Sequence, residues 1–198
     1  MEVDPANDPA DETLMQRLSA GDDTALALLM GRWEVPLKRF LYRLLFDAHE
    51  AADLAQETCV KLYQRRETYR VGAKFAPWIL TIAANLARNR RRWWRRHPAV
   101  SLDELAPGAR EGTAGWEPTD PGAGPAERLQ RREAAAGVRA AVAALPHELR
   151  EIVVLAEYEE RPQAEIASIL GCTTKAVEMR LYRARERLRR TLGPALVR

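Results

Sequence analysis

The chain has 198 residues, an ordinary apolar share of 46% and a formal net charge of only +3. It can therefore pack a core without staples, and any nucleic-acid surface must come from clustered rather than bulk charge. Two cysteines, Cys59 and Cys172, exclude a disulfide scaffold and read as buried small hydrophobes in a reducing compartment.

No apolar run approaches the roughly 18 residues needed to cross a bilayer, and the acidic N-terminus is not a secretory signal. A cytoplasmic protein without membrane insertion is expected. Residues 1–10 carry acids and prolines with little apolar content and read as a disordered tail. From Asp11 the pattern turns helical, with Leu14, Met15 and Leu18 ahead of a stop at Gly21. Asp22 or Asp23 can cap the next helix, which Pro36 is expected to bend or divide before Leu37, Phe40, Leu41, Leu44 and Leu45 resume the apolar face. A third helix spans about His49 to Arg66, with Leu54, Cys59, Leu62 and Tyr63 pointing inward and Asp53, Gln56, Glu57 and Lys61 on another face. Tyr69 to Lys74 breaks the period around Gly72 and reads as a loop. A fourth helix covers Phe75 to Arg96.

Residues 98–125 are rich in Pro, Gly and acids, too long and too polar for a connection inside one domain, and are read as a flexible linker. Beyond it, Glu127 to Ala144 is helical, and Leu145-Pro146 starts another helix. No period-two strand pattern occurs. The expected fold class is all-α, with two small helical domains, residues 11–97 and 126–198, joined by that linker.

Two stretches carry the chemistry. From Pro162 to Leu192, Pro162 suits a first helical turn, Ile166, Ile169 and Leu170 share a face, and Gly171 ends the helix. Thr173 and Thr174 can cap a second helix whose apolar stripe is Val177, Leu181, Ala184 and Leu188, with Arg180, Arg183, Arg187 and Arg190 elsewhere. Small Ala167 permits a close crossing. This pattern describes a helix-turn-helix. The fourth helix ends with Arg88, Arg90, Arg91, Arg92, Arg95 and Arg96 among Asn85, Asn89, Trp93 and Trp94. Guanidinium groups so crowded suit a polyanion, Asn can read a base edge, and indole rings can stack on unpaired bases. Motifs of catalysis are missing: there is no P-loop, HExxH, CxxC or nucleophile elbow, so no enzyme, cofactor or metal is expected. His49, His97 and His147 read as surface residues.

Together these pieces resemble a bacterial RNA polymerase sigma factor of the sigma-70 family, extracytoplasmic-function (ECF) group, over roughly Asp11 to Leu192. AADLAQETCVKLY is similar to that family's polymerase-binding helix, FAPWILTIAANLARNRRR to its −10 helix, and LPHELREIVVL with EIASILGCTTKAVEMRLYRARERLR to its −35 domain. The resemblance implies a region 2-like four-helix bundle and a region 4-like helix-turn-helix domain that bind core polymerase, recognise −35 and −10 elements and promote melting. Implied polymerase contacts are Asp53, Leu54, Gln56 and Glu57 against the β′ clamp helices, with the β flap as a second polymerase site. Implied −10 contacts are Tyr69, Lys74, Asn85, Arg88, Arg91 and Arg92, with Trp78 buttressing the loop. Implied −35 contacts, within the helix-turn-helix at 162–182, are Thr174, Lys175, Glu178, Met179, Tyr182 and Arg183. The acidic linker would thread toward the RNA exit channel, and the family leaves room for an anti-sigma factor. Departures are Cys59 for the usual Phe, and Glu160 and Pro162 where Gly and a capping Ser are frequent. The rival reading is a conventional helix-turn-helix regulator with an N-terminal effector or dimerisation bundle, which would bind duplex DNA without polymerase.

Overall fold

The computed structural model describes residues 9–97 and 125–193, and every regular element among them is helical. The expected tail up to residue 8 and linker from 98 to 124 lie outside the described residues. Eight α-helices follow in order: α1 (Asp11–Ser19), α2 (Thr24–Leu45), α3 (Ala48–Gln64), α4 (Phe75–Arg96), α5 (Pro125–Ala143), α6 (His147–Val153), α7 (Gln163–Leu170) and α8 (Thr174–Leu192). A short 3₁₀ turn, Arg66–Thr68, follows α3, and a π-helical turn, Val154–Tyr158, extends α6.

The described residues group into two compact units, 9–41 with 49–97 and 42–48 with 125–193. Within the second, Arg150 Nη1 donates to the Leu44 carbonyl at 2.7 Å and the guanidinium lies 5.0 Å from the Phe46 ring centre.

In the first unit the core is a seam of residues at helical spacing. α1 buries Leu14, Met15 and Leu18, and α2 contributes Ala25, Leu29, Leu37, Phe40 and Leu41. The Asp22 carboxylate, rather than Asp23, caps α2 by accepting from Thr24 N at 3.1 Å. A second hydrogen bond, donated by the Thr24 hydroxyl, followed by one from Arg17, holds the Asp22 carboxyl below its ordinary range. α2 runs unbroken through Pro36, contrary to the expected division. The ring occupies an exposed position, where a carbonyl left without its N–H partner can be hydrated. α3 buries Ala51, Leu54, Ala55, Thr58, Cys59 and Leu62, and the Thr58 hydroxyl is satisfied by the Leu54 carbonyl at 2.7 Å. Burial raises the Cys59 thiol above its ordinary pKa, so the side chain behaves as the small hydrophobe expected of it.

The second unit explains the LPHELR stretch. Arg150 reaches back to the carbonyls of Ala143 and Leu145 at the end of α5, closing the corner before α6. His147, expected at the surface, is instead 9% exposed, with Nε2 3.4 Å from Glu151 Oε1. Pro162 precedes α7 as its cap residue rather than opening its first turn, because its ψ of 149° is extended. Gly171 takes a left-handed φ of 64°. Cys172 N then donates to the Ala167 carbonyl at 2.9 Å and Gly171 N to Ser168 at 3.3 Å, the paired bonds of a Schellman stop. Thr173 is the true cap of α8, its hydroxyl oxygen accepting from Ala176 N at 3.1 Å. Val177 is fully buried and Ala167 is 7% exposed, so the crossing of the two helices has the tight contact their small and β-branched residues imply.

Candidate nucleic-acid interface

The first face is built on α4 and the loop before it. Phe75, Ile79, Leu80, Ile82, Ala83, Ala84 and Ala87 are the buried positions of α4, and beyond Ala87 none of its residues is buried. The helix outruns its own core by more than two turns, and that projecting part carries the arginines. Arg91, Arg92, Arg95 and Arg96 are exposed, while Arg88 and Arg90 are half-buried. Arg90 is engaged by Glu50 of α3 in an ion pair. Arg92 Nη2 donates to Asn89 Oδ1 at 2.5 Å. His97 closes the end, its ring stacked on Trp93 at 4.9 Å. Asn85 is exposed on the turn just before this basic stretch. It lies seven residues, two turns, beyond Trp78 and on the same side of the helix.

Above that side sits the loop. Ala73 N donates to the Arg70 carbonyl at 3.0 Å, closing a turn in which Gly72 has φ 84°. This is the third position of a type II turn, where the backbone demands glycine. No atom lies within 4 Å of a Cβ built there, so conformation alone sets the requirement. Arg70, Val71, Gly72 and Lys74 are exposed at the tip, Val71 at 81%.

Tyr69 stands differently from expectation. It is only 7% exposed, its ring packs edge-on to Trp78 at 5.3 Å and near Phe75 at 6.4 Å, and its hydroxyl donates to the Ala73 carbonyl. Burial, then the nearby Glu12 and Asp11 carboxylates, push its phenol above the ordinary range, so the donor is kept. Tyr69 shapes the loop from beneath rather than offering a ring face. Trp78 buttresses it, as expected.

On α3, Asp53 and Gln56 are exposed and Glu57 is half-buried. Asp53 has His49 Nδ1 3.7 Å away as its near neighbour. Leu54, implied by the resemblance as a polymerase contact, is corrected: at 1% exposure it belongs to the core, as its helical spacing with Cys59 and Leu62 predicts.

The second face lies on α8. Thr174, Lys175, Glu178, Met179, Tyr182 and Arg183 are all exposed, and their spacing spreads them over one half of the helix circumference. Lys175 Nζ lies 3.0 Å from Glu178 Oε2, so the acid that would repel phosphate carries its own counter-charge. Tyr182 at 61% and Met179 at 43% offer large apolar surface beside them.

Arg70 and Val71, within the loop from Tyr69 to Lys74 that the resemblance implies for the −10 element, form its tip. Glu12 and Ser19 of α1 reach the loop from a distant part of the chain, which no local pattern reveals. Among the described residues no group of three or more His, Cys, Asp or Glu could hold a metal ion, and no helix is long and apolar enough to cross a membrane.

Residues 29–97 match the family model described as Sigma-70 region 2, and residues 136–188 match Sigma-70, region 4. The RNA polymerase sigma-H factor of Pseudomonas aeruginosa is 31% identical over 188 residues, covering 94% of this chain and 95% of that protein. The ECF RNA polymerase sigma factor SigW of Bacillus subtilis is 28% identical over 178 residues, 90% of this chain and 94% of its own. In fold, the chain is similar to CnrH, solved in complex with the cytosolic domain of CnrY, with TM-score 0.67, 24% identity and coverage of 94% and 99%. It is likewise similar to the sigma factor RpoE of Bartonella quintana, solved with the anti-sigma factor NepR, with TM-score 0.62, 21% identity and coverage of 85% and 97%. The two matched segments coincide with the two faces just described, in the same order along the chain. This chain is a promoter-recognising sigma factor of the sigma-70 family, ECF group.

Proposed function

We propose that the α4 face with its preceding loop captures an unpaired −10 base, that the α8 face reads the −35 duplex, and that Asp53, Gln56 and Glu57 dock on the polymerase clamp. The observation that carries this reading is the pattern of exposure. Asn85 and the loop tip are exposed, Arg88, Arg92 and Arg96 follow Asn85 on one side of α4, and the six exposed α8 residues spread over one half of their helix. No bond is made or broken in this function. The second unit grips intact duplex through Arg183 and the side chains beside it. The first offers Asn85 and the Arg70–Lys74 tip to an extruded base, with Arg88, Arg91 and Arg92 on the phosphates. Extrusion costs a few kcal/mol, which pocket contacts and stacking offset.

The two domains, 11–97 and 126–198, are weak binders tied by the 98–125 linker, and their affinities combine through effective concentration. The protein works in the cytoplasm beside its polymerase. An anti-sigma partner suits it, as the sigma factor RpoE of Bartonella quintana was solved with the anti-sigma factor NepR.

Asn85→Ala tests the assignment. It is expected to lower open-complex formation on a cognate promoter about tenfold, or ~1.4 kcal/mol, while core binding changes less than twofold. Permanganate footprinting of the −10 region measures it. An unchanged footprint removes Asn85 from the base-capture role.

A further inference from the structure

α1 lies ahead of the segment that matches region 2, which begins at residue 29. We propose that α1 is a positioning element for promoter opening: Glu12 and Ser19 hold the two ends of the 66–75 segment and thereby fix the shape of its tip. The inference rests on the base-capture reading above. It concerns residues that neither a family match nor a sequence motif assigns.

Glu12 and Ser19 are seven residues apart, two turns on one side of α1, and about 10 Å along its axis. At one end, the Ser19 hydroxyl lies 2.7 Å from the Arg66 carbonyl and 2.9 Å from Met15 O in its own helix. Its single proton can serve either, and the shorter approach is to Arg66. At the other end, Glu12 Oε1 accepts from Phe75 N at 2.9 Å.

That second contact supplies what α4 lacks. The side chain of Lys74 makes no cap, and the first turn of α4 holds no acid. A helix start favours both an acceptor for its free N–H groups and a nearby negative charge, and Glu12 brings both from another helix. α1 is itself a fixed reference. Asp11 accepts from Arg32 Nη1 and from Trp33 Nε1, each at 2.8 Å, and Leu14, Met15 and Leu18 are fully buried.

Between the two anchors the segment is held locally by the 66–68 turn and by the Tyr69 ring packed against Trp78 and Phe75. The Arg70–Ala73 turn and the Tyr69 hydroxyl shape its middle, but Arg70, Val71, Gly72 and Lys74 face solvent. With the ends free, the tip samples other shapes, and capture weakens in proportion to the population lost.

The test uses the full chain with core polymerase and compares Glu12→Ala with Ser19→Ala, the double variant, and Glu12→Gln, which keeps an acceptor. The readout is base discrimination: open-complex formation on the cognate promoter relative to promoters substituted at each −10 position in turn. Core affinity is measured alongside. The double variant is expected to cut discrimination about tenfold with core affinity within twofold, and Glu12→Gln should retain most of it. Undiminished discrimination overturns the proposal. So does a parallel fall in core affinity and discrimination, which would make α1 a general stabiliser only. Asn85→Ala is run beside them. If it also leaves discrimination intact, the base-capture reading is what has failed, and the role given to α1 falls with it.

Discussion

Glu160 has a backbone φ of 50°, in the left-handed region where a side chain with a Cβ is strained by roughly 1–2 kcal/mol. The family resemblance marks this position as one where glycine is frequent, and the backbone supplies the reason. Between the π-helical turn and Pro162 the chain must reverse, with Arg161 N donating to the Leu155 carbonyl at 2.9 Å. Glu160→Gly is expected to stabilise the chain by about 1 kcal/mol. Urea unfolding measures this, with Glu160→Ala as the control that keeps the strain and gains nothing. A midpoint no higher for glycine than for alanine would show the strain to be relieved some other way.

At the scale of single elements, caps and stops decide where the reading helix starts. Gly171 ends α7, and Thr173 alone caps α8, so Thr174 becomes its first residue and the six exposed positions fall into register. Thr173→Ala is expected to cost about 1 kcal/mol in thermal or urea unfolding, and Thr173→Ser to cost little. A loss equal for both would trace the effect to the methyl rather than the hydroxyl. These features were readable from the chain because they are local: Gly after an apolar period, Thr before the next one, and arginines continuing past Ala87. Other features were not. Pro36 lies inside α2 because tertiary burial of Leu29, Leu37 and Phe40 on either side outweighs the missing hydrogen bond. Helical spacing turns Leu54 into the core, where it is 1% exposed, and only the family resemblance sets it beside its acidic neighbours as a contact. The resemblance implies Tyr69 as a −10 contact, and nothing in the local pattern shows the Phe75 and Trp78 rings that enclose it. The anchors from α1 span gaps of 47 and 63 residues, beyond any window of periodicity.

For the molecule as a whole, the two proposed DNA faces are not backed by a large excess of positive charge. The net charge is small, and ion pairs such as Arg90 with Glu50 and Lys175 with Glu178 neutralise part of the basic surface. A conventional regulator has to hold duplex unaided, whereas a sigma factor acquires its affinity from polymerase and from joining two modest sites through one tether. The most direct measurement is therefore run-off transcription by purified core polymerase on the promoter upstream of the chain's own gene. Added protein should give a discrete transcript, and Asp53→Ala with Gln56→Ala together should lower its yield at least tenfold at limiting protein, in step with weaker core association. Tight duplex binding by the free protein without any transcript, or full activity of the double variant, would contradict the account.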